Sequence, residues 1–267
     1  MTNRLICTIK KDFREYMRGK KNMYFSISLL LIGIMIISTT LFFPALIEAL
    51  AQKAPDMVSN VGALDELMAK LFPDNIKGSL GIWYSDVGVF YSIVLVLTIY
   101  GLIVNEIKSG KWIMPVASGY KKMELVISKN IVYSVGAAFP VFVLSNVYYI
   151  AGLNFFTNDI GAIQAVVCSA IMSLSVIFIT VTTLLSSVLY KNSITAGISN
   201  ILIIMVAPDI LTYFSFGKYF PTYLLTFVYT VSDNYSELII PVVEMILICL
   251  ILFFLVDKKI RKIEISR

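Results

Sequence analysis

Six long apolar runs, separated by short polar joints, leave this chain one class of fold. The runs cover roughly 23–47, 87–104, 125–153, 162–189, 194–211 and 238–256, and charged residues fall almost entirely between them. About 20 apolar residues cross the hydrocarbon of a bilayer as a helix, and a helix satisfies its own backbone there. With 58% of its 267 residues hydrophobic, 15% charged and a mean hydropathy of +0.84, the chain lacks the charge that a soluble domain of this length spreads over its surface. The pattern predicts an all-α integral membrane protein: a single transmembrane domain over 1–267 with six spans.

The basic residues orient it. Of 22 Lys and Arg, 18 lie before the first run, within 106–129, at Lys191 and in the tail 257–267, while Lys53, Lys70, Lys77 and Lys218 occupy the opposite joints. By the positive-inside rule both termini and the segment 106–124 are cytoplasmic. The net charge of +5 therefore reports topology and not a nucleic-acid partner. Lys outnumbers Arg by 17 to 5 and Ile is abundant, which fits the cytoplasmic membrane of an AT-rich bacterium.

Between the runs, several stretches carry expectations of their own. Within an interfacial segment 1–22, residues 3–21 set Leu5, Ile6, Ile9, Phe13, Tyr16 and Met17 on one arc and Arg4, Lys10, Lys11, Arg14 and Arg18 opposite. This is the pattern of a helix lying in the headgroup plane, with membrane lipid as its partner. Pro44 marks the outer end of the first span, and 48–86 reads as an acidic extracellular loop with a short helix around Val61–Leu71. Pro140 predicts a kink in the third span. The stretch 214–231 is apolar but broken by Gly217, Lys218 and Pro221, so it reads as a re-entrant hairpin on the outer side between the fifth and sixth spans, its aromatics an interfacial belt. Glu244 stands inside the last span; an intramembrane carboxylate marks either function or snorkelling to the nearby surface.

Much chemistry is excluded. The chain has no His, which removes imidazole metal sites and His-dependent triads. Cys7, Cys168 and Cys249 form no C-x-x-C, so a disulfide framework is not expected. The first apolar run is too long for a cleavable signal peptide. No phosphate-binding Gly-x-x-x-x-Gly-Lys-Ser/Thr loop occurs, so no cofactor is expected in this chain and any ATP and magnesium belong to a partner. Neither catalytic nor metal-binding residues are expected.

The segment after the second span is where a membrane machine would meet a soluble partner. Trp112, Ile113, Met114 and Val116 lie between Gly110 and Gly119, flanked by Lys108, Lys111, Lys121 and Lys122. A short helix there can bury apolar anchors in a groove while the lysines meet an acidic rim; the plainer alternative is a basic loop whose lysines reach lipid headgroups. Glu106 ends the second span. It either pairs with Arg14 or Arg18 of the first helix, making a transmission joint, or stays a solvated carboxylate.

Glu106, Lys108-Ser109-Gly110, Ser118, Lys122, Leu125 and Lys129 fall at spacings that resemble the motif after the second span of ABC type-2 exporter permeases. Lys111 stands where that family usually has Thr, Gly119-Tyr120-Lys121 replace Pro-Val-Ser, and Pro115-Val116 lies four positions too early. The order of spans, outer loop and broken hairpin is also similar to the family's, over essentially the whole chain. The resemblance implies a transmembrane permease that is not itself an enzyme, a coupling helix docked on a separate ABC ATPase subunit, and a second permease copy, identical or related. The implied path along the first, second and fifth spans is almost free of charge, which suits an apolar or amphipathic substrate such as an antimicrobial or toxin peptide or a hydrophobic drug. A non-transporting immunity or sensor protein acting through 48–86, and an ion-coupled carrier, are the alternatives.

Overall fold

The computed structural model describes residues 2–53, 73, 75–190, 193–212, 217–232 and 234–263. Among these the regular elements are helices, and the one strand-like feature is an isolated bridge between Asn75 and Thr157. Helix α1 (Thr2–Arg18) meets α2 (Lys20–Lys53) at Gly19. Contrary to the expectation from Pro44, α2 continues past it; a proline removes one helical hydrogen bond without forcing a stop.

The second crossing begins at Ile76, not Val87. Helix α3 (Ile76–Asp86), a π-helical turn (Val87–Tyr91), α4 (Ser92–Ile99) and α5 (Leu102–Lys108) follow one another as one apolar rod. The polar residues that make its start look like loop have structural partners. Asn75 caps α3 by accepting from Gly78, Asp159 accepts from the Lys77 amide at 2.9 Å, and Ser79 bonds the Tyr148 hydroxyl at 2.6 Å. The expected outer loop is shorter by this stretch, and the expected helix around Val61–Leu71 lies outside the described residues.

Helices α6 (Ile113–Ala117), α7 (Lys122–Gly152), α8 (Ala162–Leu189) and α9 (Ser193–Thr212) come next. A 3-10 turn (Gly217–Tyr219), α10 (Tyr223–Tyr229), a second 3-10 turn (Tyr235–Leu238) and α11 (Ile239–Arg261) complete the chain. Five helical rods, Lys20–Thr39, Ile76–Lys108, Lys122–Gly152, Ala162–Leu189 and Tyr235–Arg261, are long and apolar enough to cross a membrane; the described apolar run of α9, Ile194–Ile203, is shorter. By length and composition this is a multi-pass membrane architecture.

Helix α8 lies at the centre, packed by α7, α9, α10, α11 and α4. Its interior positions are rich in small hydroxyl residues, including Ser169, Ser173, Ser175, Thr180, Thr183 and Ser187, each donating back to a carbonyl of the preceding turn. Such residues admit close helix approach without leaving a polar group unsatisfied. The outward faces of α2, α7 and α11 instead expose large apolar side chains such as Leu31, Phe139 and Leu250.

Among the described aromatics of the stretch read as an interfacial belt, Phe227 is buried while Tyr223 and Tyr229 are partly exposed. Leu224, Leu225, Phe227 and Val228 of α10 are buried, Tyr229 presses on Gly81 and Gly88, and the Gln164 amide donates to the Val231 carbonyl at 3.1 Å. Tyr219 and Phe220 do remain exposed. Glu244 is partly exposed on α11.

Candidate functional site

Two glycines shape the segment after the second crossing. Gly110 (φ 73°) and Gly119 (φ 85°) both adopt the left-handed region, where a side chain is costly. Around each, two backbone bonds close a helix end: Lys111 N–H to Glu106 O with Gly110 N–H to Ile107 O, then Tyr120 N–H to Pro115 O with Gly119 N–H to Val116 O. These are paired Schellman stops. They isolate α6 as a single turn whose outer face carries Met114, 76% exposed, beside exposed Lys108, Lys111 and Lys121, with Ile113 and Val116 half-buried beneath.

Trp112 does not belong to that face. It is buried, and its indole donates to Glu106 Oε2 at 3.1 Å. Lys122 is also withdrawn, its ammonium donating to the Ile263 carbonyl at 2.6 Å and so tying the C-terminal tail to the start of α7. The expected docking set thus divides into an exposed group, the half-buried Ile113 and Val116, and two residues that hold the segment in place.

Glu106 has a different partner from the one expected. Its Oε1 lies 2.8 Å from the ammonium of Lys129 on α7, while Arg14 and Arg18 face outward on the far side of α1. What α1 contributes is acid: Asp12 at 3.2 Å and Glu15 at 3.6 Å from the same ammonium. Ser128 donates to Asp12 at 2.5 Å. An ammonium carries three protons, so one buried lysine gathers the end of the second crossing, the first helix and the third crossing at a single point. Burial holds the Asp12 carboxyl above its ordinary value, against the lowering effects of Lys129 and the Ser128 hydroxyl.

The same face of α1 makes two more ties. Arg4 donates to the Gly119 carbonyl at 2.6 Å. Tyr16 donates to the Gly136 carbonyl at 2.8 Å, and that carbonyl is the one left without its helical partner by Pro140. The proline expected to kink the third span thus creates the acceptor that receives α1. A Cβ on residue 136 would stand 2.5 Å from the Tyr16 ring, so Gly136 makes the approach possible. Thr8, Asp12 and Tyr16, one turn apart, are the buried line of α1, and Ile6, Phe13 and Met17 are exposed on another. Of the expected apolar arc, Ile6, Phe13 and Met17 thus stay exposed, while Tyr16 joins a docking face that the hydropathy pattern does not reveal.

Taking away one partner of a buried ion cluster costs about 3–5 kcal/mol, because the others stay desolvated and unpaired. The cluster therefore acts as a lock between α1, α5, the α6 segment and α7. Among the described residues no set of His, Cys, Asp and Glu is placed to hold a metal ion. No family model, curated protein or solved structure matches the chain. The site has to be read from its own residues, and two of its members, Asp12 and Ser128, carry no sequence signal when taken singly. Lys129 does carry one: a lysine seven positions into an apolar helix needs a counter-ion.

Proposed function

We propose that the chain is the permease subunit of an ATP-driven exporter of the ABC type-2 kind, in the cytoplasmic membrane of a bacterium. In this reading α9 completes six crossings, 217–231 forms a re-entrant element on the outer side, and both termini with 106–124 face the cytoplasm. The observation that supports it best is α6: a helical turn isolated by two glycine stops, with Met114 outward beside Lys108 and Lys121, and Trp112 tied inward to Glu106. Such a turn suits a groove with an acidic rim on a separate ATPase, which supplies ATP and magnesium. Two permeases, identical or related, assemble with two ATPases. ATPase closure pushes on the Met114 face, and the push passes through Trp112 and Glu106 to Lys129, moving α1 and α7 together. Between its ends the second crossing carries one charge, Asp86, and the apolar stretches of the first, second and fifth spans suit an apolar or amphipathic cargo, such as an antimicrobial or toxin peptide or a hydrophobic drug.

The test is co-purification with the candidate ATPase, using Met114→Asp with Lys108→Glu. Both residues are exposed, so the variant should melt like wild type. The reading predicts loss of the ATPase from the purified complex. A variant that retains its ATPase and couples hydrolysis normally refutes it.

A further inference from the structure

The joint around Lys129 borders a cavity of about 820 Å³ between the α1–α2 junction and α4–α5, a volume typical of small-molecule sites. Its lining is charged toward the end of α5, where Lys111 stands, and apolar about two to three turns back along the same rod, at Leu97 and Tyr100; Lys20, Lys21 and Tyr133 line it as well. Glu15 and Glu106 also reach the wall, but both lie within ion-pair distance of Lys129. Among the described residues none of the three lining lysines has a carboxylate within ion-pair distance. The Lys21 ammonium instead sits 5.2 Å over the Tyr133 ring, where a cation is held weakly and remains open to an anion.

We infer that this cavity binds the headgroup of an anionic phospholipid, its phosphate among Lys20, Lys21 and Lys111 and its acyl chains leaving past Leu97. Phosphate chemistry follows from the three uncommitted ammonium groups. A lipid source, as opposed to a free anion, follows from the second end: Leu97 is 57% exposed on a helix of apolar residues, and a bare phosphate would leave that end empty. The lysines also flank the start of α2, where a span meets the headgroup layer and juxtamembrane lysines attract anionic lipid. A bound phosphate would neutralise these lysines beside Glu15 and Glu106, leaving Lys129 as the dominant cation for both carboxylates and tightening the joint. This inference rests on the membrane architecture and not on the ATPase assignment.

Native mass spectrometry of the full chain in detergent, titrated with phosphatidylglycerol or phosphatidylcholine, tests it. Phosphatidylglycerol is expected to bind about tenfold more tightly, and Lys20→Gln with Lys21→Gln to abolish that preference. Leu97→Trp, which fills the apolar mouth and leaves the lysines in place, is expected to weaken phosphatidylglycerol binding by a similar factor. Equal binding of the two lipids, or a preference that survives the lysine changes, overturns the site. Displacement of phosphatidylglycerol by millimolar inorganic phosphate, with no effect of Leu97→Trp, overturns the lipid source in favour of a soluble anion.

Discussion

The second and third crossings are fastened twice, by opposite chemistry at their two ends. At the end that carries α10 the fastening is neutral: Trp83 stacks on Tyr148 with centroids 4.8 Å apart, its indole donates to Ser145 at 2.8 Å, and Tyr229 closes against Gly88. At the end that carries α1 the same crossings meet through one ammonium and three carboxylates. Stacked, hydrogen-bonded aromatics gain from every contact and tolerate no rearrangement. A buried ion cluster contributes little net stability, yet it is costly to leave half-formed, which makes it specific to one arrangement. The aromatic end is built to stay closed, and the ionic end to hold one geometry until something moves all its members together.

The largest expected effect comes from Lys129→Met, which strands the buried carboxylate of Asp12 and the largely buried one of Glu106 and should cost about 3–5 kcal/mol, read as lower thermal stability and a released α1. Gly136→Ala should cost about 1–3 kcal/mol, because Tyr16 must withdraw from the carbonyl that Pro140 leaves free; a loss of protease resistance confined to α1 would show that Tyr16, and not the whole bundle, gave way. Trp83→Phe removes the donor to Ser145 and should cost about 1 kcal/mol, loosening the aromatic end alone. If its effect reaches α1, the two fastenings are not independent.

The smallest effect is a slope. Asp12 is raised above its ordinary value in the folded chain, so the folded state binds a proton that the unfolded state has already released. Its contribution is therefore fully present below the unfolded value and is lost as pH rises through the folded one. Melting temperatures measured from pH 4 to 8 should fall for wild type relative to Asp12→Asn across that window. A difference that grows with pH in wild type's favour would contradict the burial of an ionising Asp12.

What was legible in the sequence was whatever a run of neighbours can encode. Helix α8 occupies 162–189 as its hydropathy predicts, and Gly110 and Gly119 mark the ends of α6 because a helix stop is a local event. Ile76 was not legible as a helix start, since Asn75, Lys77 and Ser79 look like loop until Gly78, Asp159 and Tyr148 are brought to them. The lock was hidden for the same reason. Asp12 and Ser128 are 116 residues apart, and an acid among the basic residues of α1 reads as a solvated charge until α7 supplies Lys129. Arg14 and Arg18 seemed better partners for Glu106 by sign alone, but helical spacing turns them away from the face that carries Asp12 and Tyr16.

Hydrogen exchange of wild type and Lys129→Met in lipid nanodiscs tests the central claim most directly. The account predicts faster exchange in 2–18 and 106–120, with 76–91 and 145–152 protected as in wild type, because the ionic lock opens while the aromatic seal holds. Unchanged protection of 2–18, or equal loosening at both ends, would contradict it.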